Sequence, residues 1–327
     1  MSEGNRQVPV EVFRLEPAPP PAAAWLAAWT PEPEPRTLRS LLVAIGLFVV
    51  TGISTLAAGA QFAAAYAAGR MPDLDDFYPG YFRPFVEPRL LLTGVPFAVT
   101  LLGILLAHEL GHFFACRYYR ISATYPYFVP APTLIGTMGA FIRIRSPIVN
   151  RRALFDMALA GPLVGFLIAV PALVYSVAHS KVIPFDQASP LVFGMPLVER
   201  ILEALLRPGV PHTNLLLDPV GRAAWVGLFA TALNLLPAAQ LDGGHILYSV
   251  TSEYHRRISF AVALALVPLA VWYWPGWGLW AILLVFIGFR HPPLINRWEP
   301  LDPMRRAGAL VALAIFLLCF TPAPFVT

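Results

Sequence analysis

Between Ser40 and Gly69 the chain carries no charged residue, and about 20 such residues are enough to cross the hydrocarbon core of a bilayer. Further runs follow. Leu91 to Cys116 is a second, whose one formal charge is Glu109. Ala153 to Ala178 is a third, with Asp156 near its start, and Ala223 to Leu241 a fourth, uncharged as far as Asp242. Ile258 to Phe289 is long enough for two helices, with Trp274-Pro275-Gly276-Trp277 as the turn between them, and Ala307 to Thr327 is the last. Only 13% of the residues are charged and 57% are hydrophobic, against about 25% charged in soluble domains. Mean hydropathy is +0.64. These values exclude a disordered chain and argue against a soluble single-core domain. The expected architecture is an α-helical polytopic membrane protein with about six to seven transmembrane helices. The net charge of +4 does not call for a nucleic-acid partner, because basic residues also flank membrane spans. Cys116 and Cys319 both lie in apolar runs and offer neither a disulfide framework nor a cysteine zinc site.

The segments between the runs divide by charge. Segments 36–39, 117–152, 250–257 and 290–306 hold twice as many Lys and Arg as segments 70–90 and 179–222, and 70–90 also carries Asp73, Asp75, Asp76 and Glu87. The positive-inside bias puts the first set in the cytosol. The proline-clustered residues 1–39 then form a flexible cytosolic tail, and residues 40–327 a membrane-embedded domain with its core at about 90–255. Ile121 to Pro147 does not read as a span. Pro126, Pro130 and Pro132, a turn at Gly136-Thr-Met-Gly139 and the alternation through Ala140-Phe-Ile-Arg143-Ile-Arg145 predict a short membrane-associated β-hairpin after the second helix.

The second run contains His108-Glu109-Leu110-Gly111-His112. On a helix, residues i and i+4 share a face, so both imidazoles reach one metal ion. The Glu109 between them can take a proton from an activated water. Two histidines and an acid are costly inside an apolar span and mark function there. A hydrolytic zinc site takes three protein ligands and keeps one open position, so a third is needed from elsewhere at span depth. The fourth run ends Asn234-Leu-Leu-Pro237-Ala-Ala-Gln240-Leu-Asp242-Gly243-Gly244-His245. Pro237 interrupts the helix and two glycines follow the acid, and such backbone within a membrane is tolerated only where protein buries it or a watery cavity adjoins it. Unwinding lets Asp242 point at the metal and frees the Asn234 side-chain N–H. His245 is the alternative third ligand.

His108-Glu109-x-x-His112, followed by Asn234-x-x-Pro237 and Leu241-Asp242-Gly243, resembles the site-2 protease family of intramembrane zinc metalloproteases. Gly136-Thr-Met-Gly-Ala-Phe141, Asn150-Arg-Arg-Ala-Leu-Phe-Asp156 and Ala160-Gly161-Pro162 also resemble bacterial and plastid members. The likeness covers about half the chain. It implies one zinc per chain held by His108, His112 and Asp242, with Glu109 as base and Asn234 as stabiliser of the oxyanion. The expected substrate is a single-span membrane protein, and the expected location a bacterial inner membrane with the active site opening to the cytosol. Segments 70–90 and 179–222 are too short for the PDZ domain that many bacterial relatives carry, and Gln240 stands where a proline is common in the family. His108 precedes Arg117 by nine positions, or roughly 13 Å of helix, which sets the metal below the cytosolic boundary.

Two rivals use the same residues: a zinc hydrolase acting on signal-peptide remnants, and a metal transporter. A transporter has no use for a general base between its ligands. His179, His212, His255 and His291 read as surface or interfacial histidines, and Asp156 as a structural partner of Arg151 or Arg152. The stretch Gly139 to Arg145 is expected to offer a free strand edge to an extended substrate.

Overall fold

The computed structural model describes residues 37–72, 74–184, 192–292, 294–296 and 298–326; the tail expected over residues 1–39 lies outside them as far as residue 36. Helix α1, Leu38–Ala67, starts at Thr37, whose side chain caps the Ser40 N–H. Helix α2 is Leu74–Val86, and a 3₁₀ turn, Pro88–Gly94, leads into α3, Val95–Tyr118. Strands β1, Tyr127–Pro130, and β2, Thr137–Phe141, follow. Helix α4, Arg151–Ala178, is capped by Asn150, which accepts from the Ala153 N–H at 2.9 Å. Short strands β3, Lys181–Val182, and β4, Val192–Phe193, precede α5, Leu197–Leu206, and β5, Leu215–Leu216. Helix α6, Pro219–Asn234, carries an Asp218 cap and a proline in its first turn; both features favour a helix start. After it come α7, Asp242–Val250, α8, His255–Trp272, α9, Gly276–Ile287, α10, Pro303–Cys319, and β6, Phe325–Val326.

A helix stands at every apolar run read from the sequence. Segments 38–67, 88–118, 151–178 and 255–272 are long and apolar enough to cross a membrane, and the chain is a helical membrane protein. Helices α6, α9 and α10 are shorter, at 16, 12 and 17 residues. The fourth run therefore divides. Its helix ends at Asn234 and the chain turns through residues 235–241, because Pro237 has no N–H to continue the ladder.

The predicted hairpin is present. Strands β1 and β2 are antiparallel, with Tyr127 opposite Phe141 and Phe128 opposite Ala140. A bridge between Ala123 and Ile144 extends the pairing beyond β2. The other strand pairings all involve segment 179–222. β3 pairs with β5, β4 pairs with β6, and Lys181 donates to the Tyr66 carbonyl at 2.8 Å. On the hairpin side, Arg151 donates to Ser252 Oγ at 2.9 Å and Asn150 bridges to Asn296.

Asp156 does not pair with Arg151 or Arg152. It accepts from Arg305 Nε at 2.8 Å and from the Tyr119 hydroxyl, and so joins the ends of α3, α4 and α10. Arg152 instead reaches Glu299 at 3.0 Å. The partner of Asp156 lies 149 positions away, and the two nearby arginines are engaged with Ser252 and Glu299 instead.

Helices α3 and α4 approach closely where both carry glycine. A β-carbon on Gly111 would stand 2.6 Å from the Ala160 carbonyl oxygen. Small residues of this kind let helix backbones meet inside a membrane, where apolar burial gives no drive for association. The main core joins α4, α6 and α10 through Phe155, Leu173, Leu228 and Ile315, all buried. This packing sets α3, α4, α6 and α7 around one point.

Candidate active site

Three donor atoms meet at that point. His108 Nε2 and His112 Nε2 are 3.0 Å apart, and Asp242 Oδ2 lies 3.3 Å from each. Ligands held at about 2.0–2.1 Å in a tetrahedron stand about 3.3 Å from one another, so the triangle has the size that zinc requires. Both histidines and Glu109 are buried. The His112 ring is oriented by its far side: Nδ1 meets the Met157 carbonyl oxygen at 2.7 Å. With the proton on Nδ1, Nε2 is left as a lone-pair donor, the usual arrangement behind a ligating imidazole.

Glu109 faces the same cavity, a space of about 210 Å³ that also touches Ala140, Ile142, Asn234 and His245. Asn234 Nδ2 lies 3.3 Å from His108 Nε2, so the last residue of α6 brings an amide to the edge of the donor triangle. All five residues singled out in the sequence are gathered here. His245 lines the cavity too, but its Nδ1 is engaged with His291 Nε2 at 2.8 Å, and the place beside both imidazoles is taken by Asp242.

The turn that delivers Asp242 is held from outside. Ala239 has φ of 52°, a left-handed conformation that a residue with a β-carbon adopts only under constraint. Its N–H donates to Ser259 Oγ at 3.1 Å, and its carbonyl oxygen meets His255 Nε2 at 3.1 Å. Both partners lie on α8. Gly243 packs against the carbonyls of Leu235 and Leu236 where a β-carbon would collide. His255 is thus buried and structural rather than the surface histidine its sequence context suggests.

A model of peptidase family M50 matches residues 96–271, which includes His108, Glu109, His112, Asn234 and Asp242. The chain belongs to peptidase family M50. This is the site-2 protease family. The chain is 30% identical over 318 residues to the probable zinc metalloprotease EGY1, chloroplastic, of Oryza sativa subsp. japonica, covering 89% of this chain and 52% of that protein. The same named protein of Arabidopsis thaliana is 30% identical over 321 residues, 90% of this chain and 55% of its own length. Arabidopsis EGY2 is 31% identical over 250 residues, 74% and 44% respectively. The chain thus spans about half the length of the curated relatives it matches. Those relatives are chloroplastic by name, which lends no support to the bacterial inner membrane expected from the sequence.

Proposed function

We propose that the protein is a zinc endopeptidase that hydrolyses a peptide bond of a membrane-spanning substrate within or next to the bilayer. The observation that carries this reading is the triangle of His108, His112 and Asp242 with Glu109 in the same cavity. When bound, zinc supplies Lewis-acid activation of the water and of the scissile carbonyl. Glu109 accepts the proton of the attacking water and returns it to the leaving amine. Asn234 Nδ2 donates to the oxygen on which negative charge develops. Met157 keeps His112 in the tautomer that leaves Nε2 free. A divalent ion also balances the two carboxylates of Glu109 and Asp242, which burial among neutral imidazoles would otherwise penalise. The general base favours a hydrolase over a transporter built from the same ligands.

Metal occupancy tests the ligand set. Purified protein is expected to hold about one zinc at this centre, and His108→Ala, His112→Ala and Asp242→Ala each to lower its occupancy about tenfold or more. Full occupancy in Asp242→Ala, with loss in His245→Ala, would assign the third ligand to His245 instead.

The two-sided division of segments supports a cytosolic opening, with α1, α3, α4, α6, α8, α9 and α10 as seven successive crossings. A single cysteine at position 75 is expected to react with an impermeant reagent from the non-cytosolic side, and cysteines near Arg143 and Arg256 from the cytosol. Labelling of position 75 from the cytosol overturns the orientation.

A helical substrate must be locally extended to be cut, and an extended backbone in a membrane needs hydrogen-bond partners. The hairpin is suited to supply them. The Arg143 carbonyl accepts from the Thr124 N–H at 3.0 Å, and the Arg145 N–H donates to the Ser122 carbonyl at 2.8 Å, so these residues face the partner segment. Alternation along the strand turns the backbone groups of Ala140, Ile142 and Ile144 the other way, and all three residues line the catalytic cavity. The substrate adds as a strand along this side. Ala140→Pro removes one cavity-facing N–H and alters none of the zinc ligands. It is expected to retain zinc and to slow cleavage of a single-span substrate about tenfold, as followed by gel assay in detergent. Unchanged cleavage would mean that the substrate is held elsewhere.

A further inference from the structure

A second group of metal-type donors lies at the opposite end of α6. Arg222, in the first turn of that helix, and Asn234, at its end, are separated by about 18 Å of helix. Around Arg222 stand Glu199 and Glu203, on one face of α5 at i and i+4, and His212 from the loop before β5. Their donor atoms all lie within 4.8 Å of one another. The i, i+4 pair with a third donor from a later segment repeats the plan of the first centre.

Two carboxylates are being asked to share a buried place. Glu199 is 1% exposed and Glu203 6%. Like charges this close in a low-dielectric setting disfavour each other unless a proton or a cation stands between them. The groups at hand meet that need only in part. His212 Nδ1 reaches Glu203 Oε1 at 2.8 Å. Among the described residues Glu199 Oε2 has no hydrogen-bond partner, although it is buried. The Arg222 guanidinium acts on both acids through its charge but, among the described residues, makes no ion pair with either. It stands over the Phe193 ring at 4.3 Å and reaches Met71 Sδ at 3.6 Å, and its buried Nε has no hydrogen-bond partner among the described residues. Glu199, His212 and Arg222 border a cavity of about 240 Å³. A protonated His212 would satisfy Glu203 and leave Glu199 as it is; an ion between the three would satisfy both acids. The far nitrogen of His212 already faces the Phe193 carbonyl oxygen at 3.4 Å, the backing that a ligating imidazole receives.

We propose that Glu199, Glu203 and His212 form a second divalent-cation site, whose imidazole suits zinc and whose carboxylates zinc also accepts. Through His212 and the Phe193 carbonyl, the bound ion ties α5 to the loop before β5 and to β4. It does not depend on the protease reading.

The test uses the full chain carrying His108→Ala and His112→Ala, which removes the imidazole pair of the first centre. After dialysis against micromolar free zinc, elemental analysis is expected to find about one zinc per chain. Adding Glu199→Gln or His212→Gln should lower that retention about tenfold. Cobalt in place of zinc should give visible d–d absorption that is lost in the same variants. His212→Gln alters a half-buried position, so it serves as the readout if Glu199→Gln fails to fold by circular dichroism. No zinc above background in the parent double variant, or retention unchanged by His212→Gln, overturns the site and leaves a proton shared among these side chains.

Discussion

Glu109→Gln is expected to leave zinc in place and to reduce peptide-bond hydrolysis about 10³-fold. The amide keeps the size of the carboxylate, so α3 packs as before and His108 and His112 keep their 3.0 Å spacing. What it loses is the ability to accept a proton, and positioned general acid–base groups contribute typically 10²–10⁴-fold. Here one carboxylate serves both proton transfers, from water and to the leaving amine, so no second residue in the cavity offsets the loss. Asp242 cannot substitute, since its oxygen is engaged with both imidazoles at 3.3 Å. Activity is read as cleavage of a single-span substrate and metal as zinc per chain. Cleavage retained within a few-fold would remove Glu109 from the base role. Loss of zinc along with cleavage would make it a structural element of the centre.

Much of this site could be read from the sequence because its residues are out of place there. His108, Glu109 and His112 interrupt an apolar run, and their spacing alone puts two rings on one helix face. Pro237 announces broken backbone at membrane depth, which needs a cavity to be tolerated. Gly243 and Gly244 instead lie in the first turn of α7, where Gly243 packs closely on the Leu235 and Leu236 carbonyls. The span-length helices were legible for a simpler reason, as uninterrupted apolar length. What the sequence does not carry is partnership across long separations. Nothing near Asp156 points to Arg305, and nothing near Ala239 points to Ser259 and His255, which hold its left-handed turn. His212 and His255 sit among loop-like residues and read as exposed, yet one stands against Glu203 and the other is buried. Main-chain groups are the least visible of all: the Met157 carbonyl that fixes the His112 tautomer could have come from any residue of α4.

Gly161 stands out in the sequence only as part of Ala160-Gly161-Pro162, and its role becomes plain from distances. A β-carbon there would lie 2.5 Å from His112 Cε1 and closer still to Nε2. Real side-chain atoms do not approach so near, so one partner must move. The imidazole is the freer of the two, because α4 is fixed by its close passage against Gly111 at the Ala160 carbonyl. Swinging His112 away breaks its 2.7 Å contact with Met157 and moves Nε2 off the donor triangle. Gly161→Ala is therefore expected to lose zinc occupancy about tenfold or more, since losing the orientation of one ligand typically costs 10–100-fold in metal affinity, and to bring hydrolysis near background. Gly165 makes a sharp comparison. Its β-carbon would meet His108 Nδ1 at 3.3 Å, a tight contact that a shift of a few tenths of an ångström relieves. Gly165→Ala should keep most of its zinc and activity. Both variants are measured for zinc content and for helical circular dichroism, which separates a displaced ligand from an unfolded chain. If Gly161→Ala folds, binds a full equivalent of zinc and cleaves normally, then His112 is not held against α4 in the working enzyme.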